Sequence, residues 1–244
     1  MNVYWLEQTA ADVPEEDQWL GASELLALER LRFAKRRKDW RLGRWTAKLA
    51  VADCLDLPTD ISALANIEIR AADSGAPEVV MSGNRDAPIT ISLSHRATTA
   101  LCSVVQSEIS LGCDIEMVER RSDAFVDDYF TADEKAFIER ASELDRPLLV
   151  TLVWSAKESA LKALQTGLRL DTNCVDVDLA FPLPRPTADG WSPLQIRYAG
   201  TQIFRGWWGN HNNMVRTIVS DHSLDFPILS CACRKECCLL PFGG

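Results

Sequence analysis

Acidic side chains alternate with other residues in the segment Gly112-Cys113-Asp114-Ile115-Glu116. Such alternation predicts a β-strand with Asp114 and Glu116 on one face and Ile115 on the other. Because a strand rises ~3.3 Å per residue, the two carboxylates start about 6.6 Å apart and can converge on one cation. Oxygen-only ligands suit Mg²⁺, which is commonly shared with substrate phosphates. The alternative is an exposed strand whose two acids face water.

A second segment, from Trp154 to Lys162, has the spacing of an amphipathic helix. On such a helix Glu158 and Lys162 stand at i and i+4, while Trp154 and Leu161 can face the core. One interpretation makes Glu158 a third metal carboxylate and Lys162 a clamp on a phosphate oxygen. The other is an ordinary surface ion pair, which contributes roughly a few tenths of a kcal/mol.

A third segment, from Ile91 to Arg96, alternates like a strand and ends in Ser94-His95. His95 is one of only three histidines in the chain, and it lies at a predicted strand end, where functional side chains on rigid scaffolds are often placed. The alternative is a histidine that only forms a structural hydrogen bond.

The elements that must position these segments follow a repeated order. A strand is followed by helices and then by strands, and the same order returns after residues 106–110, which predicts an α+β fold made of two similar α/β halves. We therefore expect subdomains at residues 1–107 and 108–225. Residues 226–244 contain Cys231, Cys233, Cys237 and Cys238 without paired metal-ligand spacing, and we expect a loosely ordered tail there.

The charge of the chain is unevenly distributed. Its 244 residues include 35 acidic and 26 basic side chains, for a net charge of −9. Residues 30–48 nevertheless contain nine basic side chains and one acid, Asp39, so that this basic window carries +8 and the rest of the chain −17. Such a balance argues against binding nucleic acid or an anionic membrane over the whole surface. Arg41, Arg44 and Lys48 recur along a stripe beside the apolar face of a predicted helix, which favours a local anion cleft.

The composition also predicts the compartment. The first residues lack the basic and apolar regions of a signal peptide, and no apolar run approaches the roughly 18 residues of a membrane span. Eight cysteines are about 3% of the chain, well below the density of disulfide scaffolds. We expect a soluble, cytoplasmic, reduced protein.

Together the three segments resemble the 4′-phosphopantetheinyl transferases, in particular the larger single-chain type that activates nonribosomal peptide and polyketide synthases. The resemblance covers about residues 1–220. Its most specific parts are Gly-x-Asp-x-Glu at 112–116 and the run Trp154, Ser155, Lys157, Glu158, Ser159 and Lys162, with Ser94-His95 upstream. It implies transfer of phosphopantetheine from coenzyme A to a serine of an apo acyl or peptidyl carrier protein, with release of adenosine 3′,5′-bisphosphate. The implied fold is a pseudo-dimer with coenzyme A in the cleft between its halves.

The resemblance also implies residue roles. The acids that match Asp114, Glu116 and Glu158 hold Mg²⁺ on the diphosphate. Lys162 and His95 match residues that contact coenzyme A phosphates, and Ser94 lies beside them.

Two further sets of residues follow from the same resemblance. Arg41 and Arg44 lie where this type commonly contacts nucleotide phosphates. Two candidates for the base that accepts the serine proton remain open: Glu158, directly or through a metal-bound water, and Glu134, which matches a glutamate of relatives. The chain departs from the family at Gly75-Ala76-Pro77, where relatives often have Gly-Lys-Pro.

The partners expected from this interpretation are coenzyme A and apo carrier proteins, with no nucleic acid, no membrane and a monomeric state. One competing hypothesis is a non-catalytic module that binds carrier proteins or coenzyme A. Another is a nucleic-acid binder that uses residues 30–48, although this window has no recognisable motif and no interleaved stacking aromatics.

Overall fold

Two β-sheets and two long helices form the framework of the molecule. The computed structural model describes residues 1–81, 88–166, 170–178 and 190–230. The strands are β1 (Tyr4–Thr9), β2 (Ile67–Ala71), β3 (Pro77–Met81), β4 (Thr90–Arg96), β5 (Thr99–Val105), β6 (Leu111–Met117), β7 (Val175–Asp178), β8 (Trp191–Tyr198), β9 (Gln202–His211), β10 (Met214–Ser220) and β11 (Ile228–Leu229). The helices are α1 (Ala22–Glu29), α2 (Ala34–Cys54), α3 (Ile61–Ala65), α4 (Asp123–Tyr129), α5 (Ala132–Glu139) and α6 (Arg146–Ala163). The α+β class is confirmed.

The strand order repeats between the two halves of the chain. The second sheet has the order β6-β10-β9-β8-β7. The first sheet has the order β11-β1-β5-β4, and β3-β2 form a separate pair. Without β11, the order β1-β5-β4 followed by β3-β2 is the same as in the second sheet, with an interruption between β4 and β3. The repeat that the sequence predicts from element order therefore extends to strand order. The expected boundary at residues 107–108 falls between β5 and β6, and it stays a prediction.

The long helices α2 and α6 each cover one sheet. α2 packs against β5 and β1, and α6 packs against β6 and β10. The apolar stripe of α6 is almost completely buried, with Leu152 and Val153 both at 0% exposure. Gly112 permits the close approach of α6 to β6, because a Cβ at this position would lie 1.8 Å from the Ser159 carbonyl oxygen. This contact brings the acids of β6 next to the side chains of α6.

A buried lysine–glutamate pair stabilises the second half. Lys157 Nζ lies 2.8 Å from Glu134 Oε2, and their side chains are 0% and 2% exposed. Glu134 also caps α5 by accepting the Thr131 N–H at 2.8 Å, and its other oxygen accepts the Val177 N–H at 2.9 Å. Lys157 donates in addition to two backbone carbonyls. The pair therefore ties α5, α6 and β7 together.

The first half contains the same arrangement. Lys48 Nζ lies 2.5 Å from Glu24 Oε2, with side chains 0% and 1% exposed. Glu24 caps α1 through the Gly21 N–H at 2.9 Å and accepts the Ile69 N–H of β2 at 3.0 Å. Lys48 donates to the carbonyls of Trp19 and Leu64. The two halves thus share a buried lysine–glutamate pair as well as their strand order. The order of elements in the sequence did not predict this shared pair.

The two halves pack through the inner faces of their sheets. Trp5 and Trp191 meet edge to face with ring centroids 5.3 Å apart. Arg216 forms a bidentate ion pair with Glu7 across the interface, and the second contact, from Nη2 to Oε1, is 2.8 Å. Closer to the candidate site, the Cys113 N–H of β6 donates to Ser92 Oγ of β4 at 2.9 Å. One edge of this interface therefore holds the strand ends that carry the candidate residues.

The end of the described chain corrects the prediction of a loosely ordered tail from residue 226. β11 pairs in parallel with β1, and the Ser230 hydroxyl donates to Asp53 at 2.5 Å. Residues 226–230 therefore belong to the first half, because strand pairing and a hydrogen bond to α2 hold them there. The four clustered cysteines lie outside the described residues. Among the described helices, none combines the length and apolar character needed to cross a membrane.

Candidate active site

The alternation of β6 separates its side chains as the sequence predicts. Ile115 is buried in the interface between the halves, whereas Asp114 and Glu116 lie on the face that α6 covers. Asp114 is only 4% exposed, and the Glu116 side chain is 13% exposed. The alternative of two acids facing water is wrong here, because α6 packs over this face of the strand.

Asp114 joins all three predicted segments. Its Oδ1 accepts a hydrogen bond from Ser94 Oγ at 2.7 Å and one from Lys162 Nζ at 2.8 Å. Lys162 also donates to the Cys113 carbonyl at 3.0 Å. Burial lowers the pKa of Lys162, but Asp114 and its other acidic neighbours outweigh this effect and hold the pKa above its ordinary value. Lys162 is therefore a fixed cation at neutral pH.

Glu158 and Glu116 complete a group of three acids. Burial, followed by the charge of Asp114, raises the pKa of Glu158 above its ordinary value. The same two causes, in the same order, raise the pKa of Glu116, although Arg96 and Arg121 partly offset them. These like-charge effects place the three carboxyl groups within electrostatic reach of one another.

The chemistry of these acids fits a divalent cation. Asp114 Oδ2 and Glu158 Oε1 are buried and have no hydrogen-bond partner among the described residues. Unpartnered buried carboxylate oxygens are costly unless a ligand compensates them, and hard oxygen donors are what Mg²⁺ prefers. However, no three metal-ligating side chains of the described residues stand close enough together to hold an ion as they are placed. Glu116 is paired with Arg96 and Arg121.

His95 connects the site to the first half of the chain. Its Nε2 lies 3.3 Å from Asp39 Oδ1 of α2, and its side chain is 31% exposed. Asp39 in turn accepts a hydrogen bond from Lys35 at 3.0 Å. Strand β4 thus places the Ser94 hydroxyl in hydrogen-bond contact with Asp114. It also places His95 beside the amino-terminal turns of α2, which carry exposed basic side chains.

Comparison with known proteins identifies the part of the chain that carries the acids. Residues 110–213 match the model of the 4′-phosphopantetheinyl transferase superfamily. This stretch is therefore similar to a phosphopantetheinyl transferase domain. It includes Asp114, Glu116, Glu158 and Lys162 but not Ser94 or His95.

Two solved structures resemble the chain in part. One is a holo-(acyl-carrier-protein) synthase from Bacillus anthracis in complex with CoA (3′,5′-ADP), with a TM-score of 0.38 and 20% identity over 44% of this chain and 96% of that one. The other is a holo-[acyl-carrier-protein] synthase from Helicobacter pylori in complex with coenzyme A, with a TM-score of 0.36 and 18% identity over 43% of this chain and 99% of that one. Both TM-scores are below 0.5, so these likenesses carry no weight for the activity. Comparison with curated proteins finds no match.

The basic window does not form one continuous cationic surface beside the matched stretch 110–213. Arg41 is held by Asp17 at 2.7 Å and by the Pro14 and Glu15 carbonyls at 2.5 and 2.9 Å. Lys48 is fully buried on Glu24. These contacts correct the expectation for both side chains, because their cationic groups are already occupied within the first half.

The remaining basic side chains of the window differ in exposure. Arg37 is half-buried and donates to the Leu28 carbonyl at 3.0 Å. Arg44 is partly buried and stacks on Trp40, with its guanidinium carbon 4.7 Å from the ring centroid. Glu24, at 4.0 Å, is its nearest acid. The exposed members of the window are Arg30, Arg32, Lys35, Arg36 and Lys38. The charge available to an external anion therefore lies toward the amino-terminal end of α2.

Replacing Arg41 tests its revised role. We expect Arg41→Ala to lower the free energy of unfolding by about 1 kcal/mol, because the 14–17 loop loses its hydrogen-bond donor. The affinity for adenosine 3′,5′-bisphosphate should change by less than about threefold, since this guanidinium is turned toward the loop. Denaturant titration and isothermal calorimetry measure the two effects, with exposed Arg36→Ala as the control for loss of one positive charge. A large loss of nucleotide affinity without loss of stability would restore Arg41 as a phosphate contact.

Glu134 does not support the expectation of a catalytic base. Both of its oxygens have protein partners, and the residue is 3% exposed. A general base must reach the proton that it abstracts. Glu134 is committed to the buried pair with Lys157, and of the two candidates only Glu158 lies beside Asp114 with an unpartnered oxygen.

A cleft opens beside Lys162 on the side of the first half. It has a volume of about 280 Å³ and is lined by the turn 74–77, by β4 and by Lys162 and Gln165. Gly75 adopts a φ of +90° in this turn, a conformation that favours glycine. The turn that departs from the Gly-Lys-Pro pattern thus lies at the cleft, and it contributes no cation to it.

Sequence reasoning missed Arg96 and Arg121, which contact Glu116. Arg96 directly follows the predicted Ser94-His95 pair, so its position at a strand end was available as a signal. The sequence contains no comparable signal for Arg121. Strand β6 ends between Glu116 and Arg121, and only the path of the chain after β6 brings the two side chains together.

Proposed function

We propose that the chain transfers the 4′-phosphopantetheine group of coenzyme A to a serine hydroxyl of an apo carrier protein, in a Mg²⁺-dependent reaction. The observation that carries this proposal is the partly buried group of Asp114, Glu116 and Glu158, in the stretch that matches the transferase family. Lys162 and Ser94 both bond to Asp114 of this group. The acids offer unpartnered oxygens to a cation, and Lys162 offers a fixed positive charge at the adjoining cleft.

The reaction exchanges one phosphorus–oxygen bond for another. The serine oxygen attacks the phosphorus that bears the pantetheine arm, and the bond from that phosphorus to the bridging oxygen of the diphosphate breaks. The products are the phosphopantetheinyl serine and adenosine 3′,5′-bisphosphate. Such a transfer depends mainly on positioning and on neutralising charge at the phosphoryl oxygens.

The residues of this chain divide these tasks. Glu158 accepts the serine proton, and its raised pKa brings its basicity closer to neutral pH. Lys162 neutralises charge on the departing bisphosphate, and Asp114 holds Lys162 in place. When bound, Mg²⁺ would be held by Asp114, Glu116 and Glu158 and would supply Lewis-acid stabilisation of the diphosphate. His95 and the exposed basic turns of α2 face the nucleotide phosphates.

The proposed partners are carrier proteins of two kinds, and the proposed compartment is the cytoplasm. The carriers are acyl and peptidyl carrier domains of polyketide and nonribosomal peptide synthases, and the enzyme works in the cytoplasm. One chain suffices as a monomer, because Ser94 of the first half and Asp114 of the second already share a hydrogen bond. The larger single-chain, pseudo-dimeric type is supported by the repeated strand order and by the duplicated lysine–glutamate pair.

Intact mass spectrometry tests the proposal directly. Apo acyl and apo peptidyl carrier proteins are incubated with the protein, coenzyme A and Mg²⁺, and each is expected to gain the mass of one phosphopantetheine group. The gain should disappear with EDTA and with a carrier whose acceptor serine is replaced by alanine. Absence of the adduct on several carriers of both kinds would refute the enzyme and leave a non-catalytic binding module.

A further inference from the structure

Glu116 is the centre of an ion-pair network that the proposed chemistry does not use. Its Oε2 lies 3.2 Å from Arg96 Nε and 3.2 Å from Arg121 Nη2. Both arginines also approach Glu119, at 2.6 and 3.6 Å. One oxygen of the Glu116 carboxylate is therefore held by two cations.

Arg121 is fixed more firmly than a surface arginine. Its side chain is 15% exposed, and its guanidinium carbon lies 4.7 Å from the Phe125 ring centroid and 5.9 Å from that of Trp154. Stacking of this kind orients the planar guanidinium and reduces the entropy lost on pairing. Arg96 is 36% exposed and is anchored at the end of β4, next to His95. The two arginines reach Glu116 from different elements.

Most of the negative charge of the site is offset by cations of the chain itself, without a metal ion. Asp114, Glu116, Glu158 and Glu119 carry −4, and Lys162, Arg96 and Arg121 carry +3, which leaves −1. A cation that arrives alone competes with two arginines for the charge of Glu116 in a partly desolvated setting, where ion pairs are stronger than in water. A diphosphate that arrives with the cation brings negative charge of its own, to which the freed guanidinium groups can turn.

We propose that Arg96 and Arg121 are positioning residues that occupy Glu116 until the anionic substrate is present, so that Mg²⁺ and a diphosphate bind together rather than metal first. This inference rests on the proposed function, because it concerns the order in which that same site is filled. It assigns the two arginines an energetic role, which is to weaken metal binding in the absence of the diphosphate. By linkage, coenzyme A must then strengthen metal binding by the same factor as the metal strengthens coenzyme A binding.

Binding of Mn²⁺ alone, followed by electron paramagnetic resonance of the free ion, measures this role without turnover. We expect Arg121→Ala to bind Mn²⁺ about tenfold more tightly than the unaltered protein, because one of two cations is removed from Glu116. Arg96→Ala should act in the same direction. Arg120→Ala is the matched control, since Arg120 is exposed in the same turn and is not among the cations paired with Glu116, and its affinity should stay unchanged.

A second arm adds saturating coenzyme A. The unaltered protein should then bind Mn²⁺ at least about tenfold more tightly than without it, and the gain should shrink in both arginine variants. Circular dichroism checks that the variants fold. If Arg121→Ala does not fold, Arg96→Ala still tests the inference, because Arg96 is the more exposed of the two arginines.

Three results would overturn the inference. They are unchanged or weaker Mn²⁺ binding in the folded arginine variants, an equal gain in Arg120→Ala, and no detectable Mn²⁺ binding in any protein. Loss of coenzyme A affinity without a gain in metal affinity would instead make the arginines direct substrate contacts. Failure of the proposed function gives a different pattern, in which no carrier is modified while the Mn²⁺-only comparison still reports on the arginines.

Discussion

Glu158→Gln should reduce phosphopantetheine transfer by on the order of 10²-fold or more, because it removes both a proton acceptor and a metal carboxylate. The same change should make the metal-free protein more stable at neutral pH. Glu158 is partly buried beside Asp114 and Glu116, and its charged form is therefore disfavoured in the folded state. A neutral amide of the same size relieves this repulsion without opening a cavity.

The gain in stability should depend on pH in one direction. The folded state raises the pKa of Glu158, so folding favours its protonated form, and the penalty of its charge is present above that raised pKa. As the pH falls through the raised pKa, Glu158 of the unaltered protein takes up a proton in the folded state. The extra stability of Glu158→Gln should therefore decrease, and it should be gone once the pH is below the pKa of glutamate in the unfolded chain. Thermal melts in EDTA from pH 8 to pH 4 measure this difference.

The matched control for both effects is Glu139→Gln at the exposed end of α5. It should leave turnover and melting temperature nearly unchanged. Near-normal transfer by Glu158→Gln would remove Glu158 from the metal and base assignments. If Glu158→Gln lowered the stability at neutral pH, this would contradict the conclusion that burial and nearby negative charge disfavour the charged form of Glu158.

Glu134→Gln should lower the free energy of unfolding by about 3–5 kcal/mol, the range for breaking a buried ion pair by removing one partner. Lys157 would remain buried without an anion. In addition, two backbone N–H donors, of Thr131 and Val177, point at the two Glu134 oxygens. A glutamine offers them only one oxygen, and its amide group would face the other donor.

Activity separates this structural role from a catalytic one. At a temperature where the variant is still folded, transfer per folded molecule should equal that of the unaltered protein, because Glu134 is buried away from the cleft. Urea titration gives the loss of stability, and exposed Asp133→Asn is the control on the same turn. A stable Glu134→Gln that transfers no phosphopantetheine would reinstate Glu134 as the base. Glu24→Gln should show a similar loss of stability, since Glu24 occupies the equivalent place on Lys48.

Charge alone proved to be an incomplete guide to the basic window. Its excess positive charge is real, but Lys48 neutralises Glu24 in the core and Arg41 binds a loop. The part that faces outward is the amino-terminal end of α2, whose Asp39 contacts His95. The positive charge that an external anion can reach is therefore limited to the amino-terminal end of α2, and it does not extend along the whole window.

Local patterns in the sequence determined the positions of the candidate residues on their elements. Alternation placed Asp114 and Glu116 on one face of β6, helical spacing set Glu158 one turn before Lys162, and the order of elements predicted a repeated α+β fold. These properties depend on neighbours within a few residues, and the periods of strand and helix are fixed by backbone geometry.

Only the tertiary structure decided which charges remain available for chemistry. The pairing of Glu134 with Lys157, of Glu24 with Lys48 and of Glu116 with Arg96 joins residues 20 to 24 positions apart on different elements. No period relates such residues, because whether two charges meet depends on how sheets and helices pack. Their energies also depend on burial, since the same pair is worth little in water and several kcal/mol in the core. The sequence by itself thus located the acids and bases of this protein, and packing decided which of them are committed to holding the fold together.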